Sequence, residues 1–131
     1  MKKITLLAIP AALAGCHAAP EGPAAAASQP PQAAPAACAL EIEFGSYAMG
    51  IDRTALARVE QLLAGDGAVT SVTRRNWGRE GEITLCVSVR GAADRDRLFT
   101  AVSALFPARP HGPLSVTTDT GRVFRANNDN P

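Results

Sequence analysis

The sequence predicts an α+β domain in which an antiparallel sheet carries two helices on one face. Three observations lead there. Residues 40–44 and 82–89 alternate apolar and polar side chains with the period of two that marks a half-buried strand. Residues 52–64 and 94–106 instead space their apolar side chains along one helical face. Glycine, aspartate and proline gather between these stretches, where turns and helix ends need them.

The first strand sets Leu40, Ile42 and Phe44 against Ala39, Glu41 and Glu43. Gly45 to Gly50 follows as a glycine-flanked loop. Asp52 is a good N-cap for a helix whose face is Leu56, Val59, Leu62 and Leu63. Gly65 and Gly67 are expected to end it. A second strand runs from about Ala68 to Trp77, and Gly78-Arg79-Glu80-Gly81 makes a turn. The third strand sets Ile83, Leu85, Val87 and Val89 against Glu82, Thr84, Cys86 and Ser88.

The second helix has Asp94 and Asp96 near its N-terminus, where negative charge is favoured. Its expected apolar face is Leu98, Val102, Leu105 and Phe106, and Pro107 forces the exit. Leu114 to Thr118 is a fourth strand. Asp119-Thr120-Gly121 turns the chain into a short fifth, Arg122 to Arg125, with a polar tail from about residue 126. The order β-α-β-β-α-β resembles the ferredoxin-like split βαβ sandwich. That architecture hosts many unrelated activities, so it predicts shape and not function.

Upstream of this domain the composition changes. Lys2 and Lys3 precede an apolar run from Ile4 to Ala12, interrupted by Pro10, and Leu13-Ala14-Gly15-Cys16 closes it. A basic start, a short apolar run and a small-residue exit are the features of a secretory signal, and the run is too short to span a bilayer. The four closing residues resemble the lipobox of bacterial lipoproteins. The resemblance implies cleavage before Cys16, removal of residues 1–15 and acylation of the cysteine. Stable attachment to a membrane takes more than one acyl chain, which such lipoproteins carry. By resemblance to Gram-negative sorting rules, His17 in place of aspartate after the cysteine implies the outer membrane, facing the periplasm.

Residues 16–37 read as the lipidated cysteine followed by a tether. Ten of the twenty residues 18–37 are alanine and five are proline, with no large apolar side chain. Nothing there offsets the entropy of ordering, so an extended spacer is expected. At about 3.1 Å per residue it reaches up to roughly 60 Å. The domain itself begins at Cys38.

Charge narrows the partners. Removing residues 1–15 takes two lysines from the 13 basic residues, leaving 11 against 12 acidic ones. A nearly neutral chain lacks the concentrated basic footprint of a nucleic-acid binder. Every base after Lys3 is arginine. Fork-like recognition of anions by arginine would account for that, as would a GC-rich genome, which also fits the abundant alanine, glycine and proline.

With Cys16 lipidated, Cys38 and Cys86 remain as an even pair in an oxidising compartment, where a disulfide is the default. Pleat parity argues against it. Cys38 shares parity with buried Leu40, whereas Cys86 shares it with Thr84 and Ser88, so a regular ladder would put the sulfurs on opposite faces. A bridge and two separate thiols both remain open at this point.

No metal or cofactor is implied: there is no C-x-x-C, and His17 and His111 are far apart in sequence. Ser46 or Ser103 with His111 would be needed for a hydrolase, and no nucleophile-elbow motif accompanies them. The stronger candidates are binding residues. Arg74, Arg75 and Arg79 surround the only tryptophan, Trp77, on one hairpin, and Trp and Arg are the types most enriched at binding hot spots. The alternative is a solvated turn, with Trp77 capping the core edge and the arginines paired with Glu80, Glu82 or Glu41. Tyr47 and Met49, in the loop between Gly45 and Gly50, form the second candidate.

The expectation is a non-enzymatic, lipid-anchored binding or adaptor module that meets an envelope protein or an anionic envelope component. Two alternatives stand beside it. One is a small envelope hydrolase or thiol enzyme using Cys86, Glu41 or His111. The other is a structural protein that self-associates through a sheet edge.

Overall fold

The computed structural model describes residues 37–127. The readings for the signal peptide, for Cys16, for the tether up to residue 36 and for residues 128–131 lie outside them. The elements are β1 (Leu40–Phe44), α1 (Arg53–Gly65), β2 (Val69–Trp77), β3 (Glu82–Val89), α2 (Ala92–Leu105), β4 (Leu114–Thr118) and β5 (Val123–Ala126). The sheet order is β2-β3-β1-β4-β5, antiparallel at every step. This is an α+β, ferredoxin-like fold with one strand added beside β4.

Alternation decides which face is buried. Leu40, Ile42 and Phe44 stand in register with Val87, Leu85 and Ile83 on one side, and Ile42 and Phe44 with Val116 and Leu114 on the other. These side chains meet Leu56, Val59 and Leu63 of α1 and Leu98 and Val102 of α2 in a single core. Each such buried leucine or valine contributes about 1.5–3 kcal/mol relative to exposure. Among the described residues no helix lies over the opposite face, which carries Glu41, Glu43, Thr84, Cys86 and Ser115.

Four details differ from the sequence expectation. Phe99 joins the buried face of α2 at 4% exposure, because the helix buries a stripe wider than the Leu98–Val102–Leu105 line. Helix α1 is not ended by a left-handed glycine: Asp66 is the C-cap in extended conformation, and Gly65 and Gly67 lack positive φ. The Asp66 carboxylate does the turning, accepting the Ala68 N–H at 3.0 Å. Arg122 belongs to the β4–β5 turn rather than to β5, since its N–H donates to Thr118 Oγ1 and its C=O accepts from Thr118 N–H. The strand accordingly extends through Ala126.

The cysteines are bridged, with Cα atoms 5.1 Å apart. The parity objection fails because Cys38 is outside the ladder. Continued register would place it opposite Val89, three residues from Cys86. Instead the chain bends at Ala39 and Cys38 folds over the open face, where Cys86 stands across from Glu41 and Thr73.

The strands run between two ends. At the base, the chain enters through Cys38, and the connections at Asp66–Ala68, Arg90–Gly91 and Asp119–Gly121 gather. At the loop end are the Gly45–Gly50 loop, the N-terminus of α1, the Gly78–Gly81 turn and the connection from Phe106 to Pro113.

Candidate functional site

The two candidate binding segments come together at the loop end. Strands β1 and β2 both finish there, so the loop after β1 and the turn after β2 are neighbours. A Cβ added at Gly50 would lie 3.8 Å from the carbonyl oxygen of Glu80. Close backbone approach extends to the third loop, because a Cβ at Gly112 would strike the Gly45 carbonyl oxygen and one at Gly45 would lie 2.7 Å from Pro113 Cγ. Three connections therefore form one packed rim.

From this rim Met49 projects with 92% of its surface exposed, and Tyr47 is about half exposed. Ala48 between them has φ 94°, a region that costs a residue with a Cβ about 1–2 kcal/mol. Its N–H donates to Ser46 Oγ at 3.0 Å, so local bonding and the Ser46–Ile51 bridge hold the loop in shape. A strained, exposed loop tip is a common place for recognition.

Trp77 is fixed in orientation. Its indole N–H donates to Thr84 Oγ1 at 3.0 Å, and Thr84 is buried in the open face. The ring leans along the sheet and remains 43% exposed. It walls a groove of about 180 Å³ whose floor is Gly45 and Pro113 and whose other side is Arg125. Glu43 lines the groove as well, and its Oε2 accepts from Ser115 Oγ at 3.1 Å.

The arginines of the hairpin divide between the faces. Register pairs Arg75 with Thr84 and Arg74 with Leu85, so Arg75 stands on the open face and Arg74 on the helical side. Arg74 reaches Glu60 of α1 at 3.0 Å, a partner fourteen residues away in sequence rather than Glu80, Glu82 or Glu41. The Glu82 carboxylate instead accepts the Glu80 N–H at 2.9 Å and occupies the space where a Cβ at Gly78 would be. Among the described residues, Arg53, Arg58, Arg75, Arg79, Arg109, Arg122 and Arg125 form no ion pair. All but Arg58, on α1, and Arg122, at the base, are at or near the loop end.

At the base every arginine is engaged. Arg97 grips Asp66 with two bonds, 2.7 and 2.9 Å, and reaches Asp94 at 3.4 Å. Arg90 lies 3.6 Å from Asp94. Arg95 joins Asp96 and Asp119 at 3.0 and 2.9 Å, and Arg122 stacks on the Phe99 ring at 4.1 Å. The hydrogen bonds from Arg97, and next from the Ala68 N–H, lower the Asp66 pKa from 3.8 to about 2.

Residues considered for catalysis are scattered. Cys86 and Glu41 are rung neighbours on the open face, and Cys86 is consumed in the bridge. His111 is at the loop end, where its backbone N–H donates to Asp52 Oδ2 at 3.3 Å; the other oxygen, Oδ1, caps α1 through Ala55 N–H at 2.9 Å. Ser103 Oγ donates to the Phe99 carbonyl within its own helix. Among the described residues no group of three or more His, Cys, Asp and Glu could hold a metal ion, and no helix is long and apolar enough to cross a membrane.

Fold and rim together define a small α+β domain with a tryptophan–arginine surface at one end. No family model, curated protein or solved structure matches the chain.

Proposed function

We propose that this chain is a lipid-anchored, non-enzymatic binding module of the cell envelope, held in the outer membrane through acylated Cys16 and recognising its partner with the loop end. The observation that carries this reading is the contrast between the two ends. Arg90, Arg95 and Arg97 at the base are neutralised by nearby aspartates, whereas Arg53, Arg75, Arg79, Arg109 and Arg125 have no ion-pair partner among the described residues and share the loop end with exposed Trp77, Tyr47 and Met49. Unpaired guanidinium groups beside a fixed indole suit a protein surface or an anionic envelope component. The Cys38–Cys86 bridge supports export to an oxidising compartment.

The layout also suits the role. The chain enters at the base, so the tether attaches at the end opposite Trp77. A tethered domain samples its surroundings at high local concentration. Crosslinking in intact cells tests the reading: Trp77→Ala and Arg75→Ala should each remove partner species seen with the wild type, and unchanged profiles would reject it. Labelling with radioactive palmitate tests the anchor. Incorporation should vanish in Cys16→Ala and the protein should move to the soluble fraction; retained label would reject acylation at Cys16.

A further inference from the structure

Strand β2 is the outer strand of the sheet, and it is unlike the other edge. It spans nine residues, of which eight are exposed, while β5 has only four. Its one irregularity is a register shift between Val69 and Ser71, so Val72 to Trp77 is a regular run with an unpaired outer edge among the described residues. Natural sheets protect such edges with proline, charged side chains, bulges or covering elements. Here there is no proline, the charges are Arg74 and Arg75, and α1 leaves Val72 43% exposed.

Charge lies on both sides of the same run. On the open face stands Arg75, without an ion pair among the described residues. On the helical side is a hollow of about 340 Å³ lined by Arg53, Arg74 and Asn76 together with Trp77; Arg74 is held there by Glu60, and Arg53 has no ion-pair partner among the described residues. A strand laid along β2 would point successive side chains alternately to these two sides. It would meet positive charge on both of them and apolar surface at Val72 and Trp77.

We propose that β2 receives an extended acidic segment of a partner protein as a sixth strand, with two consecutive carboxylate residues facing Arg75 on one side and Arg53, beside the Arg74–Glu60 pair, on the other. This deepens the binding reading above and rests on it. Main-chain bonds to the edge would supply affinity and the arginines would select the sequence. A second copy of this chain is the poorer occupant. Pairing β2 with β2 would bring Arg74 and Arg75 of both copies together, and like charges in close apposition are unfavourable.

The test uses the full chain with Cys16→Ala, labelled with 15N, and the capped peptide Thr-Val-Thr-Glu-Glu-Val-Thr-Thr, with Lys-Lys replacing Glu-Glu as control. The acidic peptide should slow exchange of the outward-facing β2 amides about tenfold or more, while the lysine peptide leaves them unchanged. Arg75→Ser and Arg53→Ser should each weaken the acidic peptide roughly two- to fivefold. Binding without protection of β2, equal binding of both peptides, or concentration-dependent protection without peptide would each overturn strand addition, the last in favour of a second copy. If strand addition fails while cellular crosslinks still depend on Trp77, the binding reading stands. Crosslinks indifferent to both Trp77 and Arg75 remove that reading itself.

Discussion

The base and the loop end are built from the same residue types and use them in opposite ways. At the base, Arg90, Arg95 and Arg97 are held by Asp66, Asp94, Asp96 and Asp119, and the disulfide ties down the incoming chain. At the loop end Arg53, Arg75, Arg79, Arg109 and Arg125 have no counter-ion among the described residues, Trp77, Tyr47 and Met49 are exposed and Ala48 is strained. The difference teaches that arginine content alone says little. Partnering separates groups that stabilise the fold from groups left for something else.

If the base is the stabilised end, breaking it should cost the most. Replacing Cys38 and Cys86 with serine opens a link between residues 48 apart, and the loop-entropy relation gives about 4 kcal/mol. Urea unfolding of the oxidised chain against the double variant should show that loss; equal midpoints would mean the bridge adds no stability.

Trp77 is the loop-end residue that the fold does use. Trp77→Ala leaves the buried Thr84 hydroxyl without its indole partner and should cost about 1–3 kcal/mol. Trp77→Phe should lose the hydrogen bond while keeping most of the packing, and so fall between wild type and alanine. A Trp77→Ala variant as stable as wild type would mean the indole bond contributes nothing to the fold.

Strain at the loop end predicts a gain. Ala48→Gly removes the Cβ from a positive-φ position and should stabilise by about 0.5–1 kcal/mol, after the extra flexibility of glycine in the unfolded chain is counted. A loss of stability would show that the loop is not strained.

Acid should narrow the difference between the ends. The folded pKa of Asp66, about 2, lies below its ordinary 3.8. Its contribution is therefore complete above pH 3.8 and is lost as pH falls from there through 2. Thermal unfolding of Asp66→Asn should start below wild type at pH 6, and the gap should close through that window. A gap independent of pH would contradict the ion-pair account. Smallest of all, Arg79→Ser and Arg125→Ser should move stability by no more than about 0.5 kcal/mol, which chemical denaturation would detect if exceeded.

The fold was legible in the sequence wherever one face of an element was buried. Leu40-Ile42-Phe44 and Ile83-Leu85-Val87 alternate because helices cover one side of the sheet and, among the described residues, none covers the other. Strand β2 has almost no buried residue, so its sequence carries no such record, and the division of Arg74 from Arg75 emerges only from its pairing with β3. The Arg74–Glu60 contact was equally hidden, since it joins elements whose spacing depends on the packing of α1. Parity pointed away from the disulfide because it assumes a continued pleat, and the bend at Ala39 ends the pleat before Cys38. The candidate site was half legible: Trp77, Arg75, Tyr47 and Met49 are unusual residues in turn-rich segments, but nothing in their order along the chain places them on one rim.

The central claim is that recognition belongs to the loop end and not to the base. A photoreactive amino acid introduced at Met49, and in a second strain at exposed Ala93 in the first turn of α2, tests it in living cells. The account predicts discrete partner crosslinks from position 49 and none from position 93. Crosslinks from position 93 with none from position 49 would contradict it.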